Sequence, residues 1–182
     1  MGNNIDFEYE FPDIAHFLGR ENTAELSHLM QLREIPAGMT LIEDGATVDA
    51  FMLIFSGEFN VEVSNRDKSL LLGQLGKGKW VGEVSYFTGD GLSTAKVYAV
   101  VDSSVLELKH ADFVDAQTRH PMLASMLIQH FGELMAGRLR NSNQAFEQVG
   151  EQKLALMLAN NEASIKDSWL IAMLKKLTGI EV

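Results

Sequence analysis

The chain has 182 residues, 46% of them hydrophobic and 22% charged, with a formal net charge of −10; these are the proportions of a globular protein and exclude disorder of the whole chain. An acidic chain has no long-range attraction for nucleic acid or anionic lipid, and with no cysteine disulfides, thiolate-bound zinc, iron–sulfur clusters and a cysteine nucleophile are excluded. The start MGNNIDFEYEFPD is acidic and unlike a signal peptide, and no run approaches ~18 consecutive apolar residues, so a cytoplasmic protein without membrane or nucleic-acid partners is expected.

Residues 10–33 carry apolar side chains at helical spacing: Phe11, Ile14, Phe17 and Leu18, then Leu26, Leu29 and Met30. Pro12 suits a helix start, where its missing N–H costs little. Asn22 or Thr23 is the expected cap of a second short helix.

Residues 34–110 change character. Nine of the fifteen glycines fall between 38 and 91, and they punctuate short alternating or apolar runs, the pattern of an all-β barrel or sandwich. In GEFNVEV, Phe59, Val61 and Val63 face one way and Glu58, Asn60 and Glu62 the other. The polar NRDK at 65–68 is expected to close a hairpin.

Residues 111–182 return to helix. Pro121 opens a long one. Leu123, Leu127, His130, Leu134 and Gly137 follow alternating steps of four and three, the seam of a two-helix coiled coil. A second stripe, Met122, Met126, Phe131, Met135 and Leu139, runs beside it. One stripe is expected on the β structure and the seam in a homodimer, which His130 would weaken below pH ~6.5 because facing imidazoliums repel. The competing arrangement folds the tail back over the seam within one chain. Two tail helices are expected, over EQVGEQKLALMLA and SIKDSWLIAMLKKLTG, the second capped by Ser164 and Asp167.

IPAGMTLIEDGATVDAFMLIFSGEFNV and WVGEVSYF, followed by MAGRLRNSN, resemble the cyclic-nucleotide-binding domain family, specifically bacterial dimeric regulators of the catabolite-activator type with a degenerate phosphate-binding cassette. The resemblance covers roughly residues 10–150. It implies an α+β fold: a jelly-roll-like antiparallel β roll flanked by N-terminal helices, followed by a long helix and a short helical tail. The expected domains are 1–120 for the roll with its N-terminal helices, 121–149 for the dimerisation helix and 150–182 for the tail. It further implies a ligand site at Gly82, Glu83 and Val84, where Glu83 would meet a ribose hydroxyl, and at Ser93, Thr94 and Ala95, whose backbone and hydroxyls would complete a phosphate cradle. Ser142 and Asn143 correspond to helix residues that reach the base.

The family's phosphate-contacting arginine falls on Ser93, or on Leu92 with the shorter spacing, and neither is basic. Strand alternation points Lys96 away from the face that holds Ala95 and Val97. A buried charge that loses its partner commonly costs ~2–5 kcal/mol, so at most weak binding of a cyclic nucleotide or nucleotide-like ligand is expected, with no other cofactor. No histidine pair has metal spacing, no catalytic grouping is recognisable, and the Glu83 carboxylate reads equally as a ligand group or as a solvated turn residue. From Gly150 to Val182 there is room for two helices but no wing of a winged helix-turn-helix. The expected function is a non-enzymatic regulatory or sensor module. A transcription regulator with a truncated DNA-binding region and an empty-pocket dimerisation protein stay open beside it.

Overall fold

The computed structural model describes residues 5–65 and 68–160, which fall into two compact units divided between Glu133 and Leu134. The first opens with three short helices, α1 (Phe7–Glu10), α2 (Pro12–Leu18) and α3 (Arg20–Leu29). Asp6 caps α1 by accepting from the Tyr9 N–H at 3.1 Å, and Pro12 stands at the start of α2. Neither Asn22 nor Thr23 caps α3, because the helix begins earlier, after Gly19. Their side chains bond backward instead: Asn22 Nδ2 donates to the Leu18 carbonyl at 2.9 Å and Thr23 Oγ1 to that of Gly19 at 2.8 Å, a back-bonding available to short polar side chains inside a helix.

Eight strands follow: β1 (Gln31–Ile35), β2 (Thr40–Ile42), β3 (Ala50–Ser56), β4 (Glu58–Asn65), β5 (Lys68–Gly76), β6 (Trp80–Val81), β7 (Lys96–Ala99) and β8 (Ser103–Lys109), with α4 (Glu83–Thr88) between β6 and β7. They form two four-stranded antiparallel sheets, ordered β1-β8-β3-β6 and β2-β7-β4-β5. This is the expected α+β arrangement, an antiparallel β roll flanked by helices and followed by a long one, and neither sheet closes into a barrel.

The core draws on both sheets. Ile35, Met52, Ile54 and Val105 from the first meet Ile42, Phe59, Val97 and Ala99 from the second, each large side chain contributing ~1.5–3 kcal/mol by leaving water. The alternation in β4 holds: Phe59 is buried, while Asn60 and Glu62 join a polar ladder outside. Tyr98 Oη donates to Glu62 Oε1 at 2.7 Å, Ser69 Oγ to Glu62 Oε2 at 2.8 Å and Asn60 Nδ2 to Tyr98 Oη at 3.0 Å. The tyrosine hydroxyl first, then the serine, hold the Glu62 pKa below the ordinary carboxylate value. β4 and β5 pair out to Asn65↔Lys68, where the hairpin was expected to close; Arg66 and Asp67 lie outside the described residues.

β3 is buried on both faces, which explains its unbroken run AFMLIF. Its second face, with Phe51 and Leu53, carries an aromatic cluster. The Phe51 ring lies 5.1 Å from Tyr86 on α4, 5.1 Å from Phe113 on α5 (His110–Arg119) and 4.7 Å from Phe131 on α6 (Pro121–Asn160).

That cluster corrects the expected seam. Leu123 and Leu127 are 0% and 1% exposed within a single chain, as is the neighbouring Phe131, so the first turns of α6 spend the seam and Phe131 on the fold itself, while Met122 of the second stripe is 65% exposed. His130 packs beside Phe17, 5.5 Å between ring centroids, and Trp80, 6.4 Å, and burial lowers its pKa, with Glu133 acting weakly the other way. Heptad spacing marks a stripe but not what covers it.

In the second unit α6 continues to Asn160 without the break expected near Gly150. A glycine weakens a helix by about 1 kcal/mol and does not by itself stop one. Leu134 and Gly137 are partly buried there and Leu139 is 63% exposed. The tail helix expected over SIKDSWLIAMLKKLTG, with Ser164 and Asp167, lies outside the described residues.

Candidate functional site

The candidate site is the segment from Gly82 to Ala95. Gly82 ends β6 with φ +91°, a left-handed conformation that side chains disfavour. A Cβ there would stand 2.5 Å from the Ala50 carbonyl oxygen, so two constraints select glycine. The turn aims α4 back under the sheet. Glu83 at its first position is fully buried and Ser85 nearly so, whereas Val84 is half-buried. Sequence reasoning left Glu83 open between ligand group and solvated turn, and burial removes the solvated option. Tyr86 and Phe87 turn toward Phe51 and Phe131 and anchor the helix.

α4 ends at Gly89, and the loop beyond it is tied to a second turn. The N–H of Gly45 donates to the Ser93 carbonyl at 3.0 Å, Ser93 N–H to Ala46 at 2.8 Å and Val48 N–H to Gly91 at 2.9 Å, with Thr47 bridging Leu92. The ladder pairs segments that lie far apart in the chain, so it was not legible in the sequence.

Most donors around the expected phosphate position are already used. Asp90 accepts from the Leu92 N–H at 3.0 Å and from Thr88 Oγ1 at 2.8 Å, and these bonds, the backbone one first, hold its carboxyl below the ordinary range. Ser93, at the arginine position, donates its hydroxyl to the Ala95 carbonyl at 2.6 Å and accepts the Ala95 N–H at 3.3 Å. Thr94 is exposed and Ala95 half-buried. Lys96 stands 3.7 Å from Glu43 and 6.0 Å from the Tyr98 ring centroid, on the face of the polar ladder, in keeping with its expected direction. Residues 82–95 hold two carboxylates and no Lys or Arg. The loop is therefore an acidic turn in which the Leu92 and Ala95 amides are satisfied by its own side chains and that of Ser93 by the Ala46 carbonyl.

Of the two helix residues expected at the base, Asn143 is exposed on α6 in the second unit and the Ser142 side chain is outside the described set. Among the described residues no group of three or more His, Asp or Glu could hold a metal, and no helix is long and apolar enough to cross a membrane.

Comparison with known proteins places this geometry. The family model of the cyclic nucleotide-binding domain matches residues 32–120. The chain is similar to the catabolite activator protein of Thermus thermophilus, at 25% identity and a TM-score of 0.63 over 75% of this chain and 62% of that one. It also resembles a cyclic nucleotide-binding domain from Methylobacillus flagellatus, at 21% identity and a TM-score of 0.68 over 76% and 83%. Among curated proteins, lysophospholipase NTE1 of Lodderomyces elongisporus is 26% identical over 164 residues, 86% of this chain but 11% of that protein. The chain thus spans about a tenth of its curated relative and under two thirds of the activator. The buried glutamate after Gly82 and α4 both lie within residues 32–120, the stretch that matches the cyclic nucleotide-binding domain.

Proposed function

We propose that the chain is a non-enzymatic regulatory module whose cassette holds a cyclic nucleotide weakly or takes an altered ligand. The observation that carries this reading is Ser93: where the family's phosphate-contacting arginine would stand, a hydroxyl is folded back onto the Ala95 carbonyl at 2.6 Å. A guanidinium grips phosphate through two charge-assisted bonds, and a serine committed to its own loop offers no substitute. Asp90, kept ionised by Leu92 and Thr88, adds like charge near the same turn. Glu83, the residue that the family resemblance assigns to a ribose hydroxyl, is buried at the start of α4. Isothermal calorimetry with cyclic AMP and cyclic GMP tests the reading. A weak isotherm supports it, a sub-micromolar dissociation constant refutes it, and no binding at millimolar ligand favours the empty-pocket alternative.

Self-association is the second part of the proposal. Leu123 and Leu127 are occupied within the chain, so a homodimer would form through α6 beyond Glu133, where Leu139 is exposed and Leu134 and Gly137 continue the seven-residue spacing. A helix of this length draws most of its stability from an apolar contact rather than from its own propensity. Light scattering decides: a mass near 20.2 kDa at high concentration rules the dimer out.

A further inference from the structure

The cassette helix rests on a histidine. His110 is the first residue of α5, and its backbone N–H donates to the Asp49 carbonyl at 2.8 Å. Its ring lies 4.5 Å from Phe51 and 4.9 Å from Tyr86, between centroids. Nε2 is buried and has no hydrogen-bond partner among the described residues. Tyr86 belongs to α4; Gln117 Nε2 donates to its hydroxyl at 3.4 Å and Phe113 meets its ring edge-on at 5.6 Å between centroids, so α4 is held on α5 by two ring contacts, one of them the imidazole, and by one long polar contact.

We propose that His110 is an acid-sensitive latch for the cassette helix, seating α4 when neutral and releasing it when protonated. A neutral imidazole can bury one unpaired nitrogen against an apolar wall at far less cost than the charged ring would incur. Protonation turns that nitrogen into a charged donor with no acceptor in reach, which burial penalises. The groups that act on the ring are few. Asp49 favours the cation, but its carboxylate is shared with Lys109 Nζ at 3.4 Å, and Lys109 itself opposes the cation. Tyr86 is the titratable group packed on it from α4, while Phe51 from β3 is apolar. Burial comes first among these influences and lowers the His110 pKa below 6.5.

The sign follows. With a folded pKa below the unfolded one, the opened state takes up more protons as pH falls, so the closed seat is fully favoured above ~6.5 and weakens on the way down through the folded value. The opening equilibrium of α4 then rises by up to about tenfold at pH ~5.5.

Hydrogen exchange on the full chain tests this, following the amides of Val84–Thr88 between pH 7.5 and 5.5 after correction for intrinsic exchange, with the α3 amides as reference. Selective loss of protection in α4, abolished in His110→Phe, supports the latch. Unchanged α4 protection, equal loosening of α3, or acid loosening that persists in His110→Phe overturns it. Should that variant not fold, NMR titration of the His110 ring in the unsubstituted protein decides: a midpoint below 6.5 that moves with the α4 amides supports the latch, and a midpoint at or above 6.5 overturns it.

Discussion

Replacing Gly82 by alanine should unsettle the cassette far more than the same change at Gly89, although both glycines bound α4 and both have positive φ, +91° and +82°. Holding an L residue in the left-handed region costs roughly 1–2 kcal/mol. The reduced freedom of the unfolded chain returns ~0.4–1 kcal/mol in both variants and cancels in the comparison. At Gly89 a Cβ meets nothing within 4 Å, so the backbone term stands alone. At Gly82 it meets the Ala50 carbonyl at 2.5 Å, with Val48 Cγ1 at 3.2 Å and Met52 Cε at 3.3 Å behind it. Met52 can swing aside. The Ala50 carbonyl cannot, because Ala50 opens β3 in register with Lys109 of β8. Forcing a methyl into such a place adds ~1–3 kcal/mol. The midpoint of thermal unfolding should therefore fall further in Gly82→Ala than in Gly89→Ala by roughly 2–12 °C, at ~2–4 °C per kcal/mol for a chain of this size. Equal losses would mean that the carbonyl contact carries no energy, and the account of why Gly82 aims Glu83 inward would fail with it.

Ser93→Arg should tighten cyclic AMP binding by at least about thirtyfold, the low end of a restored ~2–5 kcal/mol charge pair; calorimetry on both proteins reads it, and no gain means that the loop cannot turn the guanidinium inward. Tyr98→Phe should raise the Glu62 titration midpoint toward the ordinary carboxylate value, since the tyrosine hydroxyl is its main stabiliser; carboxyl-carbon NMR would expose an unmoved midpoint. Leu127→Ala should lower stability by ~2–5 kcal/mol in urea unfolding, whereas Leu139→Asp should lower the solution mass and leave the roll's unfolding transition in place. The reverse pattern would put the interface at the first turns of α6.

What could be read from the residues tracks how local the cause is. The outward Asn60 and Glu62 and inward Phe59 follow from alternation, and Pro121 opens α6 because its ring suits a helix start. Long-range partners left weaker traces. GEVSYFTG is too short for a helical period to emerge, so α4 became visible only once Tyr86 and Phe87 were seen against Phe51 and Phe131. Leu123 and Leu127 kept perfect coiled-coil spacing while packing inside their own chain, because spacing is shared by every apolar stripe. Glu83 could be located from its motif, but its burial depends on the turn at Gly82 and on Ala50, thirty-two positions upstream.

The ladder between residues 45–48 and 91–93 makes the cassette loop and the β2–β3 turn a single unit of exchange. Each rung fixes a backbone distance, so lengthening either segment by one residue would move every donor in the other out of reach. A designer wishing to give this domain a relative's ligand preference cannot transplant 89–95 alone. The turn would have to travel with it, and variation in loop length among such domains should come in matched pairs.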